Sequence, residues 1–236
     1  MSYTFSKCLS TGDAYLGSLA GNAPNINSNP YNLSVDRSLC AYNVEHALRL
    51  NTLVALPFHG NRIVEGWQIT GILAANTGLP FNVTDGVDQS NQITGVPRPN
   101  YSPDNPARTV GTVNYPACNN NPVLGGATMY FNPNCFTQEA FGTLGNLGRE
   151  ALVGPSLVNV DLGILKSTRI RENLNLQFRA ELFNVFNHTN LSFPTSALFT
   201  GTPSPTTTLG LSPTAGQITT YAAPSREVQF GLKLIF

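Results

Sequence analysis

Charge is the scarcest property of this chain. Only 11% of its 236 residues are Asp, Glu, Lys or Arg, against about 25% in an ordinary soluble domain. The 13 basic and 13 acidic residues cancel, so there is no basic footprint and a nucleic-acid partner is excluded. No run approaches the roughly 18 apolar residues of a membrane helix. That absence does not extend to membrane strands, whose signal per segment is weaker. The chain also lacks the sequence marks of catalysis. His46, His59 and His188 stand far apart, and none has a ligand-type neighbour at metal-site spacing. No HExxH or GxSxG occurs. Gly142, Gly145 and Gly148 do not form GxGxxG and read as flexible loop glycines leading into a strand. We expect no enzyme, cofactor or metal. Met1 to Leu9 has no basic stretch followed by an apolar one, so we also expect no signal peptide.

Alternation with period two is abundant. In Arg226–Phe236, the residues Val228, Phe230, Leu232, Leu234 and Phe236 point one way, and Glu227, Gln229, Gly231, Lys233 and Ile235 the other. Such a segment has the length a tilted strand needs to cross a bilayer, about 9–11 residues. Similar patterns predict strands near 3–9, 44–56, 65–84, 157–169 and 174–188. The fold class expected is all-β, an antiparallel meander of about six transmembrane-type strands. Tyr3, Phe5, Phe58, Trp67, Phe81, Phe186 and Phe236 fall near strand ends, where rings form interfacial girdles.

The connections alternate in length. Residues 10–43, 85–156 and 190–225 are long, whereas 57–63 and 170–173 are short. In an antiparallel meander this puts every long loop on one side, the asymmetry of outer-membrane barrels. The polar row of Arg49, Asn51, Asp161, Gln177, Arg179, Glu181 and Lys233 would then face the lumen, for pairing across strands or lining a substrate path. The long loops are Asn- and Pro-rich with few charges. They are the more plausible recognition surface and suit an uncharged ligand such as a glycan. Four cysteines form two neighbourhoods, Cys8 with Cys40 and Cys118 with Cys135. One or two disulfides are expected, with Cys118 and Cys135 the named pair, against the alternative of buried thiols. The sequons at Asn32, Asn82, Asn187 and Asn190 are expected by chance in an Asn-rich chain.

Particular strings are familiar. Leu174-Asn-Leu-Gln-Phe-Arg-Ala-Glu-Leu-Phe-Asn-Val-Phe-Asn-His188 and the terminal strand resemble the C-terminal end of TonB-dependent outer-membrane receptors, in the Oar-like group with a carboxypeptidase-regulatory-like domain. Asn29-Pro-Tyr-Asn-Leu33 with Asp36-Arg37, Gly66-Trp-Gln-Ile-Thr-Gly71, Thr77-Gly-Leu-Pro-Phe-Asn-Val83, Arg98-Pro-Asn100, Phe131-Asn-Pro133 and Gly142-Thr-Leu-Gly-Asn-Leu-Gly-Arg149 continue the resemblance in order. It implies a barrel of about 22 strands with a plug in its lumen, energised by TonB for uptake of large or scarce nutrients. It also implies Phe236 as the end recognised by the outer-membrane assembly machinery.

About six strands, without plug or TonB box, make the chain look like the C-terminal part of such a receptor in the outer membrane of a Gram-negative bacterium. Its partners would be outer-membrane lipid, the remaining barrel and plug segments, and TonB, and it would not be transport-competent alone. The alternative is a secreted β-sandwich carbohydrate-binding or adhesion module. A second sheet covering the apolar face would mark a sandwich.

Overall fold

The structure is a computed structural model that describes residues 1–12, 29, 31–91 and 97–236. Pro30 of the Asn29–Leu33 string, and parts of the expected loops 10–43 and 85–156, lie outside the described residues. Six strands form one sheet: β1 (Ser2–Phe5), β2 (His46–Ala55), β3 (Trp67–Asn76), β4 (Leu157–Arg171), β5 (Leu174–Phe183) and β6 (Glu227–Ile235). Each pairs antiparallel with its sequence neighbour, in the order β1-β2-β3-β4-β5-β6. The long connections all leave one end of this meander and the short turns the other. Among the described residues no helix is long and apolar enough to cross a membrane.

Register assigns the two faces. Directly opposed residues of an antiparallel pair share a face. Leu48 opposes Ala75, which opposes Val158; Ile69 opposes Ile164, then Ala180, then Phe230. The result is a continuous apolar face. On β6, Val228, Phe230, Leu232 and Leu234 are 53, 69, 70 and 50% exposed. Among the described residues no second sheet covers them, as a sandwich requires.

The hydrophobic core lies elsewhere, in the long connections. Phe81, Val83, Tyr130, Phe131, Phe136, Leu152, Leu198, Phe199, Leu209 and Ile218 pack into one cluster, with Phe81 against the rings of Tyr130, Phe131 and Phe193. Burying each such aromatic contributes about 2–3 kcal/mol. Backbone bonds stitch the two later loops together: Tyr130 N–H donates to the Gly216 carbonyl at 2.7 Å and Ile218 N–H to Ala127 at 2.8 Å. Disulfides join Cys8 to Cys40 and Cys118 to Cys135. The second closes a loop of 17 residues, for which chain entropy alone supplies about 3 kcal/mol.

Several local expectations are corrected. Phe81 is 1% exposed and belongs to this core, not to a girdle. Strand 65–84 ends at Asn76, because Gly78 lies against Gly154 so closely that a Cβ would stand 1.8 Å from its carbonyl oxygen. Pro80 and Phe81 pair instead with Val153 and Leu152. Strand 174–188 ends at Phe183, where Asn184 and Asn187 take left-handed φ of 48° and 52° and turn the chain. Strand 3–9 stops at Phe5, and Leu9–Ser10 leaves to pair with Ser38–Leu39 beside the first disulfide. Gly145 is not a loose loop glycine: a Cβ there would stand 1.8 Å from the Arg98 carbonyl oxygen. The buried neighbours Leu147 and Arg149 belong to the same packed segment.

Because the loops own a core, they should lose structure separately from the sheet. Phe131→Ala is expected to cost about 3–5 kcal/mol. Hydrogen exchange should then accelerate in residues 81–153 and 190–218 while β3–β5 stay protected. Uniform acceleration through the sheet would contradict a separate loop core.

Candidate functional site: the polar face and its mouth

The seven residues expected to face the lumen do share a face. Arg49 on β2 opposes Ala74, which opposes Asn159; Asn51 opposes Ile72, which opposes Asp161. On the other half, Gln177 opposes Ser167 and Lys233, Arg179 opposes Leu165 and Gly231, and Glu181 opposes Gly163 and Gln229. This face is the one opposite Phe230 and Leu232; it gathers the seven polar residues, with Ile72, Ala74 and Leu165 between them.

Two of the seven have defined structural partners. Arg49 Nη1 donates to Asn76 Oδ1 at 2.7 Å. Asp161 Oδ1 accepts from Asn159 Nδ2 at 2.7 Å and from the Asn184 backbone N–H at 2.9 Å. Asp161 thereby ties the end of β5 to β4, a pairing use for a row that also suited a substrate path.

Above these residues, where the sheet meets the loops, a cavity of about 690 Å³ is lined by Asn76, Thr77, Leu157, Phe193, Thr219 and Thr220. Asn76 and Leu157 place it on the polar face. A second cavity of about 650 Å³ adjoins it through Thr219, Thr220 and Ala222, and adds Asn187, His188 and Tyr221. Among the described residues, His188 and Tyr221 are the titratable side chains on these walls. Hydroxyls, amides and one exposed ring suit an uncharged ligand with many hydrogen-bonding groups.

At the opposite end the short turns carry their own anchor. Lys166 sits on the apolar face opposite Trp67 and Phe178. Its Nζ reaches back to the Arg62 carbonyl at 2.8 Å and to that of Glu65, and lies 5.6 Å from the centre of the Trp67 ring. The stem remains on the apolar face while the ammonium caps the turn, as interfacial lysines do. Phe236, Phe58 and Trp67 share this end, and Tyr3, Phe5 and Phe186 the loop end.

A two-faced antiparallel meander with apolar side chains outward, rings at both ends and long loops at one end is the geometry of a membrane-crossing sheet. The chain matches the family described as "Outer membrane beta barrel domain" over residues 1–229. It belongs to that family. No curated protein and no solved structure matches it. The barrel domain resides in the outer membrane of a Gram-negative bacterium, with its apolar face in outer-membrane lipid.

Sequence reasoning missed what the loops hold inside. Asp36 and Arg98 form a buried ion pair at 2.6 Å. Arg149 Nε donates to the Asp36 carbonyl at 2.9 Å, and its Nη2 reaches the Ser10 carbonyl and hydroxyl at 2.8 and 2.7 Å. Beside them, Asn82 exchanges hydrogen bonds with the Glu150 side chain and backbone. Ser10 apart, these residues come from four of the strings quoted above or their immediate neighbours, so four separate strings supply parts of the buried polar cluster. Spacing gave no sign of it, since Asp36 and Arg149 are separated by 113 residues. Among the described residues no three His, Cys, Asp or Glu side chains group to hold a metal.

Removing a buried cation next to a carboxylate is costly. Arg98→Met is expected to destabilise the loop layer by about 3 kcal/mol, read as a lowered urea midpoint in detergent. Arg179→Met, on the exposed polar face, should stay within about 0.5 kcal/mol of the parent.

Proposed function

We propose that this barrel domain is the C-terminal part of a TonB-dependent receptor of the Oar-like group, contributing to uptake of a large or scarce nutrient once the barrel is complete. One observation carries the reading. β1 and β6 are the outer strands of the meander, and neither has a second neighbour among the described residues. In lipid, where no water can satisfy backbone groups, those edges demand further strands. A barrel larger than six strands, with room for a plug, supplies them, and the resemblance of the ordered strings to the C-terminal part of such receptors supports this reading.

In that setting the polar face lines the interior beside the plug, and TonB acts through the plug rather than through this segment. The uncharged cavities at the mouth and the thick, cross-linked loop layer supply a rigid surface for a polar ligand, with glycans the best chemical fit. The reading gives no residue a catalytic role. Phe236, 91% exposed at the short-turn end, adds a ring to the interface there.

Chromosomal deletion of this segment should give growth defects, across a panel of oligosaccharides and other scarce nutrients, that deletion of TonB also gives. A defect of the segment deletion that TonB deletion does not share, or no defect at all, would sink the transport reading. Face assignment has its own test. Phe230→Arg puts a cation at the middle of the lipid face, at a cost of about 2–4 kcal/mol, and should deplete the protein from outer-membrane fractions. Gln229→Arg, one residue away on the polar face, should leave its abundance unchanged.

A further inference from the structure

Two carboxylates in the loop layer are unaccounted for by the barrel or by the polar cluster. Asp85 is fully buried and Glu139 is 2% exposed. All four of their carboxylate oxygens lack a hydrogen-bond donor. The two groups act directly on one another, by side-chain contact and by charge repulsion. Neither is free to relax outward. Asp85 N–H donates to the Pro97 carbonyl at 3.0 Å, and its own carbonyl accepts from Phe199 N–H at 2.8 Å. Glu139 follows Phe136–Thr137, a short strand paired with Asn100–Tyr101.

Buried charge without a partner is costly enough that it must be neutralised. A single shared proton would engage two of the four oxygens and leave two bare. A divalent cation engages all four, and calcium in particular takes six to eight oxygens with bidentate carboxylates in flexible geometry. The surroundings are rich in such atoms. Glu139 borders an opening of about 410 Å³, also lined by Gln89, Gln138, Ser204, Thr206 and Thr208. It gives access to Glu139 and offers hydroxyl or amide oxygens to finish the shell.

We propose that Asp85 and Glu139 form a calcium site that clamps the loop layer. Asp85 precedes the segment 86–91, and Glu139 adjoins the loop 201–209 through that opening. Bound calcium would therefore lock the two later loops over the barrel mouth. The site does not depend on the transport reading, and its test does not use transport.

Protons and calcium compete for the pair, which fixes the sign of the pH dependence. Burial first, then Glu139, pushes the Asp85 carboxyl up to about 10 from its ordinary value of 3.8. An acid with its folded pKa raised favours folding below the unfolded value. That contribution is lost progressively as pH rises through the interval to about 10. Without calcium, stability should therefore fall as pH rises. With calcium it should fall less, because the metal binds the deprotonated pair and binds it more tightly at higher pH.

The experiment uses the full chain in detergent, stripped with EGTA, and calcium chloride as the probe. Calorimetric titration should show one site per chain. Thermal melting followed by near-ultraviolet circular dichroism should rise by about 5 °C or more near a hundredfold excess over the dissociation constant. Magnesium at equal concentration should raise it less. Asp85→Asn with Glu139→Gln should abolish both signals. Should that pair of changes not fold, calcium affinity of the parent between pH 6 and 9 decides, since it must rise with pH. Absence of calcium binding by the parent, a shift retained in the folded variant, or an affinity flat with pH would each overturn the site. A stability loss at high pH that calcium does not alter would identify a shared proton instead.

Discussion

Everything in this molecule rests on the backbone hydrogen-bond ladder between neighbouring strands. In hydrocarbon an unpaired N–H or C=O has no water to turn to, so a strand crosses a membrane only with a partner on each side. The meander meets that demand for its four inner strands by the simplest route, pairing each with its neighbours in sequence. Once the ladder is in place, alternation decides the rest. Successive side chains alternate between two faces, and the opposed pairs carry that parity across all six strands up to the irregularity between Arg169 and Arg171.

The ladder also explains where the core is not. A sheet with lipid on one side and a polar interior on the other has no dry layer of its own, so packing energy must be found beyond it. The long connections supply it. Their aromatic residues, two disulfides and the buried cluster around Asp36, Arg98 and Arg149 form a packed layer with its own hydrophobic core. Asparagine is its main tool. Asn190 bonds both the N–H and the C=O of Val158. Asn184 turns the chain after β5 and bonds the carbonyls of His188 and Pro224. Asn132 and Asn134 hold the carbonyl of Pro116. A side chain that is both donor and acceptor satisfies loop backbone where no strand can. The uncharged composition that looks like flexible linker is the composition of a loop layer that bonds to itself.

A buried layer of this kind leaves little freedom for charge. Where acidic and basic groups meet, as at Asp36 and Arg98, the pair is neutral and polar contacts surround it. Asp85 and Glu139 have no such complement within hydrogen-bonding reach, and that imbalance is a chemical demand for a proton or a metal. The contrast between the two acidic sites of the same loop layer separates structural charge from charge that calls for a ligand.

The strands, their faces and the alternation of long and short connections were legible in the residues alone, because period two is a local property and each strand displays it without reference to the others. Arg49, Asn51, Asp161, Gln177, Arg179, Glu181 and Lys233 could be assigned to one face by parity before any pairing was known. Strand ends were less legible: Gly78 and Asn184 stop their strands through contacts with Gly154 and Asp161, which are distant in sequence. The loop core, the ion pair and the Asp85–Glu139 pair were not legible at all. Each joins residues tens of positions apart through loops without periodicity, so only the folded chain determines which polar groups are left facing one another. Sequence by itself determined a membrane-crossing sheet; tertiary structure decided what stands above it, because close packing of irregular segments depends on contacts that no local pattern encodes.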